Sequence, residues 1–236
     1  MPKLQTMPSL TVSQTELARF GTTWVANGGS LSRTPPQSSG ELGKLFDMAV
    51  GTALAVMLGG ISLEVPSSTT LVPTKPDCVE VGPVRIIGGV RPQNFDVGYR
   101  PDGIRFAYDS KTLNDAKSVS KNWQNMINDL ATEATTVHSR FPHAVVAFMV
   151  IVPEPCLGEP RRSALVETLD RLARRQKVED SDYMAEAISL VVWNPADGSI
   201  SGSIPASESP LRVERFSLQV ETAYVSRYKG LPPHAA

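Results

Sequence analysis

Apolar and polar positions along the chain follow three rhythms, and each predicts a different element. An unbroken apolar run, "HAVVAFMVIV" from His143 to Val152, predicts a central strand buried on both faces. A second run, "MAEAISLVVWN", predicts another strand, stopped by the turn signals Asn194-Pro195 and Asp197-Gly198. "VEVGPVRIIGG" predicts a shorter strand, followed by a paired stretch from Asn94 to Thr112 in which apolar and polar residues alternate. Helical spacing governs the rest. "ELGKLFDMAVGTALAVML" predicts a helix from Glu41, with Ser38 or Ser39 as its cap and Gly59-Gly60 as its stop. "AKSVSKNWQNMINDLATEATTVHSRF" predicts a long helix ended by Phe141-Pro142, and "RRSALVETLDRLARRQ" places Leu165, Leu169 and Leu172 on one face after Pro160. Ser209-Pro210 reads as the cap and first residue of a last helix, "LRVERFSLQVETAYVSRY".

The resulting order is helix, strands, helix, strand, helix, strand, helix. It predicts an α/β fold with a central mixed β-sheet flanked by α-helices in a single domain, residues 41-236. Residues 1-40, rich in Ser, Thr, Gly and Pro, read as an N-terminal arm or loosely packed lead-in.

Composition narrows the class without choosing a function. The 236 residues are 41% hydrophobic and 20% charged, as expected of a globular chain. A net charge of -1 supplies no global attraction to nucleic acid, so any such partner must be met by particular residues. Cys78 and Cys156 lack metal-ligand spacing and point to a reducing, cytoplasmic setting. The apolar stretch Met48 to Leu63 is shorter than the roughly 18 residues of a membrane span, and "MPKLQTMPSL" does not read as a secretory signal. No membrane partner is expected.

The candidate chemistry lies in the paired stretch. Strand alternation puts Phe95, Val97 and Tyr99 on one face and Asp96, Gly98 and Arg100 on the other. In the second strand Ile104, Phe106 and Tyr108 share a face, opposite Arg105, Ala107, Asp109 and Lys111. Asp102-Gly103 between them favours a two-residue type I′ turn. Such a turn pairs Pro101 with Ile104 and brings Asp96 opposite Asp109, with Cβ atoms roughly 4.5–5.5 Å apart. Two carboxylates so close repel unless a cation lies between them, and an oxygen-rich pair with room for water suits Mg²⁺. Lys111, on the same face, can orient or deprotonate a water or steady a phosphate. The reaction class is phosphodiester hydrolysis.

These residues resemble the motif of the PD-(D/E)XK nuclease superfamily, to which many type II restriction endonucleases belong: an acid on one hairpin strand, then acid, any residue and lysine on the next. Here "FDV" supplies Asp96 and "YDSK" supplies Asp109, Ser110 and Lys111, with the similar element order covering about residues 41-195. The resemblance implies a restriction-endonuclease-like core and a metal held by Asp96, Asp109 and the carbonyl of Ser110. The chain departs from the pattern in that Phe95, not proline, precedes Asp96; the literal Pro101-Asp102 falls in the turn, too far from Asp109 to share its ion.

Members often add an acid from the preceding helix, for which Glu41 is the candidate, although an acid there is equally a favourable first-turn charge. Lys117, Lys121 and Asn122 resemble the Lys/Asn-rich helix entrance of some restriction enzymes; they would approach the phosphate backbone, or else line a solvated helix face. Arg105, beside the acids on the chemical face, completes the candidate DNA contacts. Six basic residues from Arg161 to Lys177 read as a salt-bridged exposed helix in preference to a DNA track, and His138 and His143 read as structural. The implied function is a Mg²⁺-dependent type II restriction endonuclease that cleaves double-stranded DNA as a homodimer, with a cognate DNA methyltransferase encoded nearby. The alternatives are a repair or recombination nuclease of the same superfamily and a non-catalytic binding or assembly module on this fold.

Overall fold

A computed structural model describes residues 3–31, 37–67 and 70–234. In chain order the elements are α1 (Gln14–Ala26), α2 (Gln37–Met57), β1 (Ser62–Glu64), β2 (Cys78–Ile87), β3 (Pro92–Tyr99), β4 (Phe106–Thr112), α3 (Ala116–His138), β5 (Val145–Pro153), α4 (Arg161–Leu172), β6 (Ala187–Trp193) and α5 (Val213–Tyr228). The strands form one six-stranded sheet in the order of the sequence. β2, β3 and β4 run antiparallel to their neighbours in a meander, whereas β1 pairs parallel to β2, and β4, β5 and β6 are mutually parallel. The fold is therefore α/β with a mixed sheet between helices.

The two apolar runs become the sheet's interior for the expected reason. Every residue of β5 and of β6 is buried, because helices cover both faces of the parallel half and leave no wet side. One core, with Phe46, Leu54, Val97, Tyr99, Tyr108 and Phe216, lies under α1, α2 and α5; the other, with Phe95, Ala107, Leu130, Val137, Phe148 and Leu169, lies under α3 and α4. Among the described residues no helix is long and apolar enough to cross a membrane. Both cysteines are buried free thiols.

Several local expectations change. The described part of the lead-in, residues 3–31, is packed, not loose: Met7, Leu17, Phe20 and Leu31 are buried in the first core, and α1 is capped by Ser13, whose hydroxyl accepts from the Glu16 N–H at 3.2 Å. That Ser-x-x-Glu spacing is a helix-start signature. Positions 38 and 39, the expected cap, fall inside α2, which runs from Gln37. Ser209-Pro210 stays outside α5, which begins at Val213 with Arg212 as its cap residue; the Ser209 hydroxyl instead accepts from Leu211 N–H.

The β3–β4 connection is also not a two-residue turn. Pairing begins at Tyr99 and Phe106, leaving Arg100 to Arg105 as a loop in which Gly103 alone takes positive φ (117°). Type I′ geometry needs positive φ at two consecutive positions, and Asp102 does not adopt it. The register survives nonetheless, since Val97 pairs with Tyr108 and Gly98 with Ala107 as expected.

Candidate active site

Beyond the Val97–Tyr108 pair the two strands part company. β3 stays with β2 as far as Pro92, while β4 continues along β5 to Thr112. The pair that would come next, Asp96 with Asp109, is not made as a ladder pair, and the acids flank the mouth of the resulting wedge. Asp96 sits at a break in β3. Phe95 packs in the core under α3 and Val97 in the core under α2, although residues two apart in a regular strand share a face. Directly across the sheet, β2 carries a register shift between Val81 and Val84, with Gly82 at φ 132°.

That break turns the Asp96 carboxylate into the wedge. Its Oδ2 accepts from the Ser110 backbone N–H at 2.9 Å and from the Ser110 hydroxyl at 3.1 Å. A carboxylate thus satisfies the backbone donor that a continued strand pair would have satisfied. β4 then divides the motif between its two faces. Asp109 and Lys111 lie on the side of α3, with Ala107, while Ser110 lies on the side of α2, with Tyr108.

Each flanking helix adds an acid. From α2 comes Asp47, buried, with one carboxylate oxygen lacking any partner. Burial, followed by the charge of Asp96, pushes its carboxyl up to about 8, partly offset by the Ser110 hydroxyl. Gly43 makes this approach possible, since a Cβ there would stand 2.9 Å from the Ser110 hydroxyl oxygen. From α3 comes Glu133, whose Oε1 accepts from the Lys111 ammonium at 2.8 Å and from Gln93 Nε2 at 3.0 Å. Burial raises Glu133 above the usual carboxylate range, and Lys111 opposes the shift.

Lys111 therefore bridges two acids, Asp109 and Glu133. Burial raises Asp109 well above its ordinary value, Lys111 opposes that rise, and the charges of Asp96 and Glu133 add to it. Against the opposing effect of burial, the same two carboxylates hold the Lys111 ammonium above its ordinary range. In this arrangement Lys111 is a cation at neutral pH, suited to steadying an anion and unable to accept a proton. The Tyr108 hydroxyl lies buried without a partner, its ionisation suppressed first by burial and then by Asp47, Asp96 and Asp109.

The remaining candidates divide. Glu41 is exposed and paired with Lys44 at 2.7 Å. The helix acid at the site is Asp47, roughly one and two-thirds turns further on, because the face bearing Gly43 and Gly51 is the one laid against the sheet. The sequence signal for it, an acid between glycines at i−4 and i+4, went unread. Arg105 does not share the acids' site. It is buried, donates to Asp102 Oδ1 at 2.8 Å and to the Pro232 carbonyl at 2.6 Å, and stacks over the Tyr228 ring, so its guanidinium is turned to the loop and the C-terminal segment. Lys117, Lys121 and Asn122 are exposed on the first turns of α3, where Asp115 caps the helix by accepting from Ser118 N–H at 2.7 Å. Lys121 lies about 18 Å along the helix from Glu133 at ~1.5 Å per residue, so these residues flank the acids without joining them.

Of the basic residues after Arg161, Arg175 turns inward to Glu186 (3.0 Å), which also holds His138 (3.3 Å) and Arg227 (2.8 Å). Arg162 and Arg174 pair with Glu159 and Asp170. Among the described residues no three His, Cys, Asp or Glu side chains are grouped so as to hold a metal ion, and any ion at the wedge would need backbone or water oxygens as well. No protein-family model, curated protein or solved structure matches this chain.

Proposed function

We propose that the chain is a Mg²⁺-dependent endonuclease of the PD-(D/E)XK type, hydrolysing phosphodiester bonds in double-stranded DNA, and most concretely a type II site-specific enzyme acting as a homodimer beside a cognate methyltransferase. The observation that carries this reading is the excess of acid at the wedge, where Asp47, Asp109 and Glu133 are buried and Asp96 is half-buried. Asp109 and Glu133 share the Lys111 ammonium on the α3 side, while Asp96, tied to Ser110, stands between them and Asp47 on the α2 side. Burying carboxylates together is costly unless they are protonated or meet a cation.

The donors at the wedge are all oxygens, the ligand type a hard divalent ion takes, and Asp47 on the α2 side and Glu133 on the α3 side each keep one unpartnered buried oxygen. Asp96, Asp109 and the Ser110 carbonyl would hold it, and when bound it would lower the pKa of a water and offset phosphate charge. Lys111 supplies a fixed positive charge for the phosphate oxygens, and Asp96, tied to Ser110, keeps the two strands' acids in register. The element order α2, β2–β3–β4, α3, β5 also supports the resemblance. Exposed Lys117, Lys121 and Asn122 are the candidate backbone contacts.

One observation favours the non-catalytic module instead. With Lys111 bound to both Asp109 and Glu133, the acids on that face already have a cation.

The deciding experiment is incubation of the purified chain with unmethylated phage DNA in Mg²⁺ or EDTA, beside Asp109→Ala. Discrete fragments that require both Mg²⁺ and Asp109 are the expected result. Intact DNA across several substrates and metals, from protein shown to be folded, would leave the binding module as the better reading.

A further inference from the structure

Glu133 lies outside the sequence motif, yet three elements meet at it. It is 3% exposed on α3; Lys111 of β4 and Gln93 of β3 both donate to its Oε1, and its Oε2 is buried without a partner. Lys111 needs one carboxylate to be neutralised, and it has two, Asp109 and Glu133.

The duplication has a chemical consequence. A carboxylate that shares its oxygens with an ammonium is a poor ligand for a divalent cation, because two positive charges then compete for one acid. For Asp109 to take up a cation, the Lys111 ammonium must move away from it. Even a half-buried ammonium is penalised when it is left without a partner. Glu133 already holds that ammonium from the far side, so release from Asp109 does not strand it.

We propose that Glu133 is a positioning residue that retains Lys111 in the site when Asp109 exchanges the lysine for a divalent cation, with Gln93 fixing the glutamate for that role. The inference rests on the metal-dependent reading given above. It gives the lysine two stations, one shared between Asp109 and Glu133 and one on Glu133 alone.

Calcium uptake measured by titration calorimetry on the full chain tests this without relying on cleavage. Glu133→Gln should weaken Ca²⁺ binding by about tenfold or more, the scale of effect seen when groups supporting a metal ligand are lost. In a Lys111→Met background the same substitution should change affinity by less than about threefold, since no ammonium is left to compete. Gln93→Leu should act in the same direction as Glu133→Gln and more weakly, which provides a second variant should Glu133→Gln unfold. Equal losses with and without Lys111 would make Glu133 an ordinary nearby charge, and no loss in either Glu133→Gln or Gln93→Leu would make it scaffold; both outcomes overturn the proposal while leaving the metal-dependent reading intact. A wild-type chain that binds neither Ca²⁺ nor Mg²⁺ would overturn both. Calcium uptake that follows the predicted pattern, from a chain that cuts no DNA, would uphold Glu133 and remove the nuclease.

Discussion

The Asp96 carboxylate takes the place of a strand partner for Ser110, accepting its backbone N–H at 2.9 Å and its hydroxyl at 3.1 Å where β3 and β4 separate. One side chain thereby closes the end of a ladder and holds a charge beside Asp109 and Asp47. The geometry makes the acids interdependent, and it supports four predictions.

Asp96→Ala, Asp109→Ala and Lys111→Ala should each lower DNA cleavage by at least about a hundredfold, the order of loss when a group stabilising the transition state is removed. Asp102→Ala should cut nearly as well as wild type, because Asp102 is 60% exposed and engages Arg105 in the loop. Gel assays beside thermal unfolding separate chemistry from folding. An inactive Asp102→Ala with an active Asp96→Ala would reverse the assignment.

Asp47 should make stability fall with rising pH. Its folded value of about 8 lies far above the ordinary value of 3.8, so the folded state holds the proton more tightly than the unfolded chain does. The side chain favours folding most below the unfolded value, and that contribution is lost as pH rises through about 4 to 8. Asp47→Asn removes the titration. In EDTA at pH 9 urea unfolding should show the variant more stable by roughly 2–5 kcal/mol, at ~1.4 kcal/mol per unit less what relaxation recovers. The gap should close toward pH 4; no gap at pH 9 would mean that Asp47 is solvated.

Gly43→Ala should damage the site more than the fold. The added Cβ would stand 2.9 Å from the Ser110 hydroxyl oxygen that binds Asp96, whereas at Gly51 it would meet the Val81 Cγ2 at 2.5 Å, away from the acids. Gly51→Ala should therefore cost about 1–3 kcal/mol of stability by overpacking. Gly43→Ala should stay within about 1 kcal/mol of wild type, because alanine's helix preference offsets the clash, while cleavage drops about tenfold. Equal activity in the two variants would show that Gly43 has no part in the site.

Replacing Lys117 and Lys121 together with alanine should reduce the salt dependence of DNA binding. Each lost phosphate contact lowers the slope of log affinity against log salt by about 0.9. A fluorescence anisotropy titration at several salt concentrations reads this directly. An unchanged slope would assign both lysines to a solvated helix face.

Much of the scaffold is legible in the sequence because it is written in local periodicity. The runs that became β5 and β6 are apolar throughout since both faces are covered, and the spacing Asp109-Ser110-Lys111 already separates Ser110 from its neighbours by strand alternation. The β3–β4 register was readable too, though for a different reason than turn type, since a loop from Arg100 to Arg105 delivers the same pairing. α1 went unread despite its Ser13-Glu16 start, because a Ser/Thr-rich stretch hides one buried stripe, Leu17 and Phe20.

The sequence by itself determined the α/β order, the mixed sheet and the presence of two acids and a lysine at neighbouring strand positions. Only the tertiary structure decided which further residues join them. Asp47 in place of Glu41, Glu133 in place of the α3 entrance, and the inward fate of Arg105 all depend on how α2, α3 and the C-terminal segment lie against the sheet. The break at Asp96 lies opposite a register shift in another strand. Periodicity records how a residue's own neighbours share burial; which polar groups meet across elements is set by crossings and register shifts between segments far apart in the chain.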